Sequence, residues 1–268
     1  MHRSKHSQTS SVYRRQYNHP PAQKTQRSFL SRVKRTVFFI VLIAAVVLIF
    51  DPKVIHAWNQ TNAPTYSKKQ TVCLDPGHGG VDPGASSADG LITERDINLT
   101  VGLKVRSLLN TQGYQVFMTR TTNNVSMDNH ARYSYCNSNH ATVMVSIHHN
   151  FFTDNTVDYD SVLFYKKADE GLANSIVNST STELNIPNNG IAQFDDGVLS
   201  ESKMPAAVSE GFFITNTNEY TLLTEPGSTR LVDEAKGIAR GIEIYLDSPA
   251  KANAKVGTNL PTLDRTDD

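Results

Sequence analysis

The chain has 268 residues and a formal net charge of zero, but its charges are unevenly distributed. The first 35 residues carry nine Lys and Arg and no acidic residue, whereas residues 72–247 carry 11 Lys and Arg against 22 Asp and Glu, a net charge of −11. Because binding to phosphates needs clustered cations, the acidic body argues against nucleic acid as a partner of this region.

The basic N-terminal segment runs directly into an apolar stretch. Residues 37–50 are 14 consecutive apolar residues, whereas a membrane-spanning helix needs about 20, and residues 51–58 can extend the stretch. Two interpretations are a cleaved signal peptide and an uncleaved signal anchor. The anchor is favoured because Ile55-His56-Ala57 matches a small-x-small cleavage site poorly. We therefore expect a disordered basic cytoplasmic segment (1–35), a signal anchor (36–58) and an extracytoplasmic remainder, which is secreted if the segment is cleaved.

Strand-like and helix-like patterns alternate between a polar linker (59–70) and a C-terminal tail (248–268) that lacks periodicity. Short apolar runs predict strands at 71–74, 116–118, 141–147, 161–165 and 206–209. Thr93 is placed to cap a helix that Gly113 ends, and helical periodicity predicts further helices over 126–139, 170–184 and 228–246. Residues 71–247 are thus predicted to form a single α/β domain, with a central mostly parallel sheet flanked by helices on both faces in three layers.

Four side chains suited to metal binding and acid–base chemistry stand next to these predicted elements. His78 follows the first strand, Glu94 opens the first helix, and His148 and Glu210 come directly after the strands 141–147 and 206–209. Ligands of open α/β sheets gather outside the carboxyl ends of strands, so we expect the four side chains to converge on one edge. Two His and one Glu suit a catalytic zinc that keeps a position for water, and Glu210 is then the candidate general base.

Neighbouring polar residues and the two cysteines receive simpler interpretations. Asp75 and Asp82 each precede a proline, a pattern typical of turns. His149 is expected to face the opposite side of the strand from His148.

Export would permit a disulfide between Cys73 and Cys136, but their spacing does not indicate one, so both are interpreted as small buried apolar residues.

A series of motifs occurs in unbroken order over about residues 72–247. It comprises Asp-Pro-Gly-His-Gly-Gly (75–80), Asp-Pro-Gly-Ala (82–85), Glu94, Gly113, Thr119-Arg120, Arg132, Asn137, Ser-Ile-His-His-Asn (146–150) and the stretch 204–216 around Glu210. Together these motifs resemble the zinc-dependent N-acetylmuramoyl-L-alanine amidases of the type 3 amidase family. Cys136, Thr142 and Ser209 depart from the residues usual in that family, and none of them is a proposed ligand.

The resemblance implies zinc held by His78, Glu94 and His148, with Glu210 as the catalytic glutamate. It implies as substrate the amide between the lactyl group of N-acetylmuramic acid and the L-alanine of the peptidoglycan stem peptide. Asn150 is the candidate for substrate contact. Some relatives carry an inserted helix that occludes the zinc; the spacing here leaves no room for one, so we expect an open site.

The function expected from these features is that of a membrane-anchored, zinc-dependent peptidoglycan hydrolase, an autolysin of the cell wall. Its expected cofactor is Zn²⁺, and its expected partners are peptidoglycan and, through the anchor, the cytoplasmic membrane. Two alternatives are a zinc peptidase that cuts within stem peptides and an inactive, membrane-tethered wall-binding module.

Overall fold

The computed structural model describes residues 34–39 and 67–247, and residues 34–39 are helical. Within these two ranges no helix is both long enough and apolar enough to cross a membrane. Most of the expected cytoplasmic segment, anchor and linker, and all of the tail 248–268, lie outside the described residues. Residues 67–247 contain all the strands of the described chain and form an α/β domain.

The centre of this domain is a six-stranded sheet. Its strands are β1 (Thr71–Pro76), β2 (Gln115–Met118), β3 (Val143–Asn150), β4 (Asp160–Phe164), β5 (Asn188–Gln193) and β6 (Ala206–Phe213). Their order is β2-β1-β3-β6-β4-β5. Only the β4–β6 pairing is antiparallel, so the prediction of a mostly parallel sheet is confirmed.

Six α-helices of the described domain pack around this sheet. They are α1 (Glu94–Thr111), α2 (Asn129–Ser138), α3 (Glu170–Leu184), α4 (Val198–Glu201), α5 (Thr217–Thr224) and α6 (Arg230–Asp247), and a single 3₁₀ turn (Lys167–Asp169) precedes α3. Thr93 caps α1 as predicted, because its side chain accepts the backbone N–H of Asp96.

Two cores on opposite faces of the sheet give the fold its three layers. Val72 and Leu74 of β1 face a core shared with α1, α3 and α6, whereas Cys73 between them faces a second core shared with α2 and α4. The same alternation recurs along β3, where Val145 faces the first core and Met144 the second. This follows from the two-residue period of a strand, and the predicted three-layer arrangement is confirmed.

Three strands, β1, β3 and β6, run further than predicted, and the extension of β3 and β6 changes where the site residues lie. His148 and Glu210 are inside β3 and β6 rather than after them. The two strands pair through this region, and the β3–β6 register shifts only between His148 and Asn150. β5, α4 and α5 were not predicted, since their sequences show neither a continuous apolar run nor clear amphipathic periodicity.

The interpretation of the two cysteines as unlinked apolar residues is wrong. Cys73 of β1 and Cys136 of α2 form a disulfide with a Cα–Cα distance of 5.7 Å. The residues are 63 positions apart in sequence, and only the packing of α2 on β1 brings them together. The bond therefore ties a helix of the second core to the strand that leads to His78.

Candidate metal centre

Two imidazoles and a carboxylate converge beyond the ends of β1 and at the start of α1. Glu94 Oε2 lies 2.9 Å from His78 Nε2, and Glu94 Oε1 lies 2.9 Å from His148 Nδ1. One ligand atom from each of the three residues lies within 4.8 Å of the others. The structure thus brings together the three residues that the sequence predicts as metal ligands, and their nitrogen and oxygen donors form a set that zinc accepts.

The backbone at His78 adopts a conformation that side-chain-bearing residues seldom use. Its φ is 61°, in the left-handed region, and it is followed by two glycines that also have positive φ. Arg120 and Arg132 hold this loop by its carbonyl groups: Arg120 Nη2 donates to Gly77 O at 2.7 Å, and Arg132 Nη2 donates to His78 O at 2.9 Å. A strained backbone conformation persists only where the surrounding structure enforces it. This conformation directs the His78 ring towards Glu94.

Glycines leave the space that the three side chains occupy. A Cβ atom on Gly77 would lie 2.1 Å from His148 Nε2. One on Gly84 would lie 2.5 Å from His78 Cδ2 and 2.6 Å from Glu94 Oε2. No side chain fits at such distances, so both glycines are required for the approach of the imidazoles to the carboxylate.

Asp82 combines the predicted turn role with a second one at the centre. Its Oδ1 accepts the backbone N–H of Gly84 at 3.0 Å, as in an Asx turn, while its Oδ2 lies 2.8 Å from His78 Nδ1. A carboxylate on the second ring nitrogen is one of the arrangements that orient metal-binding histidines and fix their tautomer. His78 therefore presents Nε2 to the cluster.

The interpretation of Asp75 as a turn residue is wrong. It lies fully buried inside β1, where its carboxylate accepts hydrogen bonds from Thr119 Oγ1 at 2.6 Å, Arg132 Nη1 at 2.8 Å and Ser146 Oγ at 2.8 Å. The proline that follows continues the strand, so the Asp-Pro pair does not form a turn here. Asp75 instead neutralises Arg132, which in turn holds the His78 loop.

The charges of the cluster stabilise one another. Burial raises the pKa of Glu94, but hydrogen bonds and charge interactions with His148 and His78 outweigh it and hold that pKa well below its ordinary value. Burial likewise lowers the pKa of His148, but the hydrogen bond and the charge of Glu94 produce a net rise. Glu94 is therefore an ionised carboxylate at neutral pH, as a metal ligand must be.

Glu210 lies beside the cluster on the neighbouring strand. It is the direct partner of His148 in the β3–β6 register, and its side chain is nearly buried. Residues that are partners in two paired strands project from the same face of the sheet, so the side chains of Glu210 and His148 lie side by side. The negative charge of Glu210 accordingly contributes to the raised pKa of His148. Asn150 is buried at the end of β3, where its carbonyl accepts the N–H of Ile214 at 2.9 Å.

The cluster is accessible from solvent. The side chains of His78 and His148 are 22% and 26% exposed, whereas that of Glu94 is 5% exposed. Glu94 thus forms the floor of the centre and the two imidazoles its walls. This agrees with the expectation of an open site.

Asn98 and Glu234, two polar residues behind the cluster, were not predicted from the sequence. His149 faces away from His148, as predicted, and its ring contacts Asn98 of α1 and Glu234 of α6. The sequence nevertheless contains a signal for Asn98 and one for Glu234. Asn98 stands four positions after Glu94 on the same face of a helix, and Glu234 interrupts the apolar face of α6 between Leu231 and Ile238.

Curated relatives and solved structures share this domain. The chain is 28% identical over 183 residues to the probable cell wall amidase LytH of Staphylococcus epidermidis, a match that covers 68% of this chain and 60% of the relative. The corresponding protein of Staphylococcus aureus is 28% identical over 181 residues, with coverage of 67% and 59%. The chain thus spans about 60% of the length of the curated relatives it matches.

Two solved amidase structures superpose on the domain over almost their whole length. The catalytic domain of CwlV, an N-acetylmuramoyl-L-alanine amidase from Bacillus (Paenibacillus) polymyxa var. colistinus, aligns with a TM-score of 0.62 at 28% identity, covering 66% of this chain and 98% of that one. The N-acetylmuramoyl-L-alanine amidase of Clostridium difficile 630 aligns with a TM-score of 0.62 at 32% identity, covering 67% and 97%. Residues 72–244 match the model of the family described as N-acetylmuramoyl-L-alanine amidase, and the chain belongs to this family.

Proposed function

We propose that the chain is a zinc-dependent N-acetylmuramoyl-L-alanine amidase. It hydrolyses the amide between the lactyl group of N-acetylmuramic acid and the L-alanine of the peptidoglycan stem peptide. The observation that carries this proposal is the convergence of His78, Glu94 and His148 at one sheet edge, with Glu210 registered beside them. Family membership and the relatives named above support the choice of substrate.

Zinc is the proposed metal, held by His78, Glu94 and His148. The donor set fits it: two imidazoles, one ionised carboxylate, no competing thiolate, and a second carboxylate behind His78. When bound, zinc supplies Lewis acidity, which polarises an amide carbonyl and lowers the pKa of a water molecule towards about 7.

Glu210 performs the proton transfers in this proposal. Its carboxylate takes a proton from the attacking water as the water oxygen bonds to the lactyl carbonyl carbon. It then delivers that proton to the nitrogen of L-alanine as the C–N bond breaks, because an amide nitrogen leaves only as a neutral amine. The products are a free lactyl carboxylate on the glycan and a stem peptide with a free amino terminus.

The proposed location is the outer side of the cytoplasmic membrane, with residues 36–58 as the anchor. The basic segment before that stretch supports this orientation. The Cys73–Cys136 disulfide also supports export, since such bonds persist mainly in oxidising compartments outside the cytoplasm. Peptidoglycan is then the partner that the open face of the metal centre meets.

Digestion of purified peptidoglycan with the full-length chain tests the activity. Mass spectrometry should find stem peptides that begin with a free L-alanine amine, together with glycan strands whose lactyl groups are unsubstituted. Chelation should stop the reaction, and added zinc should restore it. Cleavage within the stem peptides would replace the proposal with the zinc-peptidase alternative, and release of no product at any zinc concentration would favour the wall-binding alternative.

A further inference from the structure

A buried polar network lies directly behind Glu94, on the side away from solvent. His149 occupies its centre: Nδ1 lies 2.7 Å from Asn98 Oδ1, and Nε2 lies 3.0 Å from Glu234 Oε2. The side chains of His149 and Glu234 are both completely buried. The ring also packs edge-on against Phe212, with the ring centroids 4.3 Å apart.

The hydrogen-bond donors of the network fix its orientation. Asn98 Nδ2 faces two acceptors, Gly77 O at 3.3 Å and Glu94 Oε1 at 3.4 Å. The amide oxygen of Asn98 must therefore point to His149, whose Nδ1 donates to it. Since the other ring nitrogen meets the carboxylate of Glu234, the imidazole is held at both ends and cannot turn without losing a buried hydrogen bond.

The same network reaches the carboxylate of Glu94. Glu94 Oε1 accepts the backbone N–H of His149 at 3.1 Å as well as the Asn98 amide, and Glu94 Oε2 accepts the backbone N–H of Ala85 at 3.0 Å. Three N–H groups thus hold the carboxylate from behind, while its front faces the two imidazoles. Two of the three belong to Asn98 and His149, whose side chains are linked to Glu234 through hydrogen bonds.

Stability alone gives little reason for a buried carboxylate–imidazole pair in this position. A buried ion pair recovers its desolvation penalty only with excellent geometry, and apolar residues of similar volume in its place are often neutral or stabilising. The fold nevertheless accommodates Glu234 closely: a Cβ atom on Gly211 would lie 2.5 Å from Glu234 Oε1, so the residue next to Glu210 must be small.

We propose that the His149–Glu234 pair positions Glu94 as a metal ligand, acting through the Asn98 amide and the His149 backbone N–H. The inference rests on the proposed metal centre and adds to it a supporting shell contributed by α6. His149 and Glu234 are positioning residues, since neither touches the reacting atoms. Outer-shell partners of this kind typically change metal affinity by roughly 10–100-fold.

Zinc affinity of the full-length chain tests the proposal, measured by competition with a chromophoric chelator. The main variant is the double substitution His149→Phe with Glu234→Met, which replaces both polar partners by apolar side chains of comparable shape. Glu243→Gln is the matched control, because Glu243 lies on the same helix outside the network. The visible spectrum of the cobalt-substituted chain reports ligand geometry, and the melting temperature of the metal-free chain reports stability.

We expect the double variant to remain folded without metal, to lose zinc affinity by roughly 10–100-fold and to show an altered cobalt spectrum. The control should match the wild type. Unchanged affinity and spectrum in the double variant would overturn the positioning role while leaving the proposed function intact. A wild-type chain that binds no zinc would overturn both.

Glu234→Gln keeps the proposal testable should the double variant not fold. This change preserves shape and one hydrogen bond to the ring but removes the charge. Its zinc affinity should fall below that of Glu243→Gln, though less than in the double variant. Equal affinities for the two glutamine variants would contradict the positioning role.

Discussion

His148 and Glu210 face each other across two paired strands, the proposed metal ligand on β3 and the proposed proton carrier on β6. Neighbouring strands are held about 4.8 Å apart by their backbone hydrogen bonds. The separation of the two functional groups is therefore set by the sheet, which is more rigid than a loop. Sites built on strands and helices hold catalytic geometry more closely than sites built on loops.

Removal of a proposed ligand should abolish metal binding. His148→Ala takes one of three donors from the cluster, so the zinc content of the purified chain should fall well below one per chain, and hydrolysis should fall to background. His130→Ala is the matched control, because His130 is exposed on α2. Zinc content measured by atomic absorption decides the point: a His148→Ala chain that retains a full zinc equivalent would exclude His148 from the ligand set.

Gly77→Ala should disturb the centre without changing any donor. The added Cβ atom would lie 2.1 Å from His148 Nε2, so the imidazole must move. We expect weaker zinc binding at an almost unchanged melting temperature. Gly90→Ala serves as the control, since it introduces a side chain at a positive φ with nothing within 4 Å of the new atom. Identical zinc affinity in the two variants would show that the close approach at Gly77 is not needed.

Loss of the disulfide should destabilise the domain. Replacement of Cys73 and Cys136 by alanine frees a loop of more than sixty residues in the unfolded chain, and removal of a native disulfide typically costs about 2–5 kcal/mol. The variant should therefore unfold at a lower denaturant concentration than the oxidised wild type. The reduced wild type is the control and should behave like the variant. If oxidised and reduced wild-type chains unfold at the same midpoint, the bond contributes nothing.

The stability of the domain should fall as pH rises towards neutrality, through the acidic residues Glu219 and Asp158 near Arg230. Burial raises the pKa of Glu219 from 4.5 to about 7, against the opposing effect of Arg230, and burial also raises the pKa of Asp158 beside it. Between pH 4.5 and about 7 the folded chain holds a proton that the unfolded chain has released. Folding then takes up a proton, so the free energy of unfolding decreases as pH rises through this window.

Asp158→Asn tests that dependence, because it removes the like charge next to Glu219. The decrease in unfolding free energy between pH 4.5 and 7 should be smaller in this variant than in the wild type, as measured by urea unfolding at several pH values. Asp154→Asn, at an exposed residue of the same loop, should leave the slope unchanged. A steeper decrease in Asp158→Asn would contradict the assignment of the proton to this pair.

The strand–helix alternation and the proposed ligands could be read from sequence, because each depends on local signals. His78 stands in a Gly-rich loop after an apolar run, Glu94 follows the N-cap Thr93, and His148 closes a buried strand. Such signals place residues at element boundaries, and the parallel sheet then brings those boundaries together.

Features that depend on pairing between distant segments could not be predicted from such local signals. The ends of β3 and β6 are set by the pairing of the two strands. The apolar pattern alone therefore predicts that the strands end before His148 and Glu210, whereas both strands continue past them. The Cys73–Cys136 bond likewise depends on how α2 packs on β1. The Asp-Pro pair at Asp75 predicts a turn by its local pattern. The buried partners that hold Asp75 in β1 are 44 to 71 positions away in the chain, so the local pattern does not reveal them.

The most direct test of the proposed mechanism compares zinc content and hydrolysis in one preparation of the Glu210→Gln chain. Glutamine keeps the shape of the side chain but cannot accept and return a proton, and loss of a general acid–base group typically slows a reaction by about 10²–10⁴-fold. We expect one zinc per chain, as in the wild type, together with a loss of peptidoglycan hydrolysis of that size. Wild-type rates of hydrolysis in the zinc-loaded Glu210→Gln chain would contradict it.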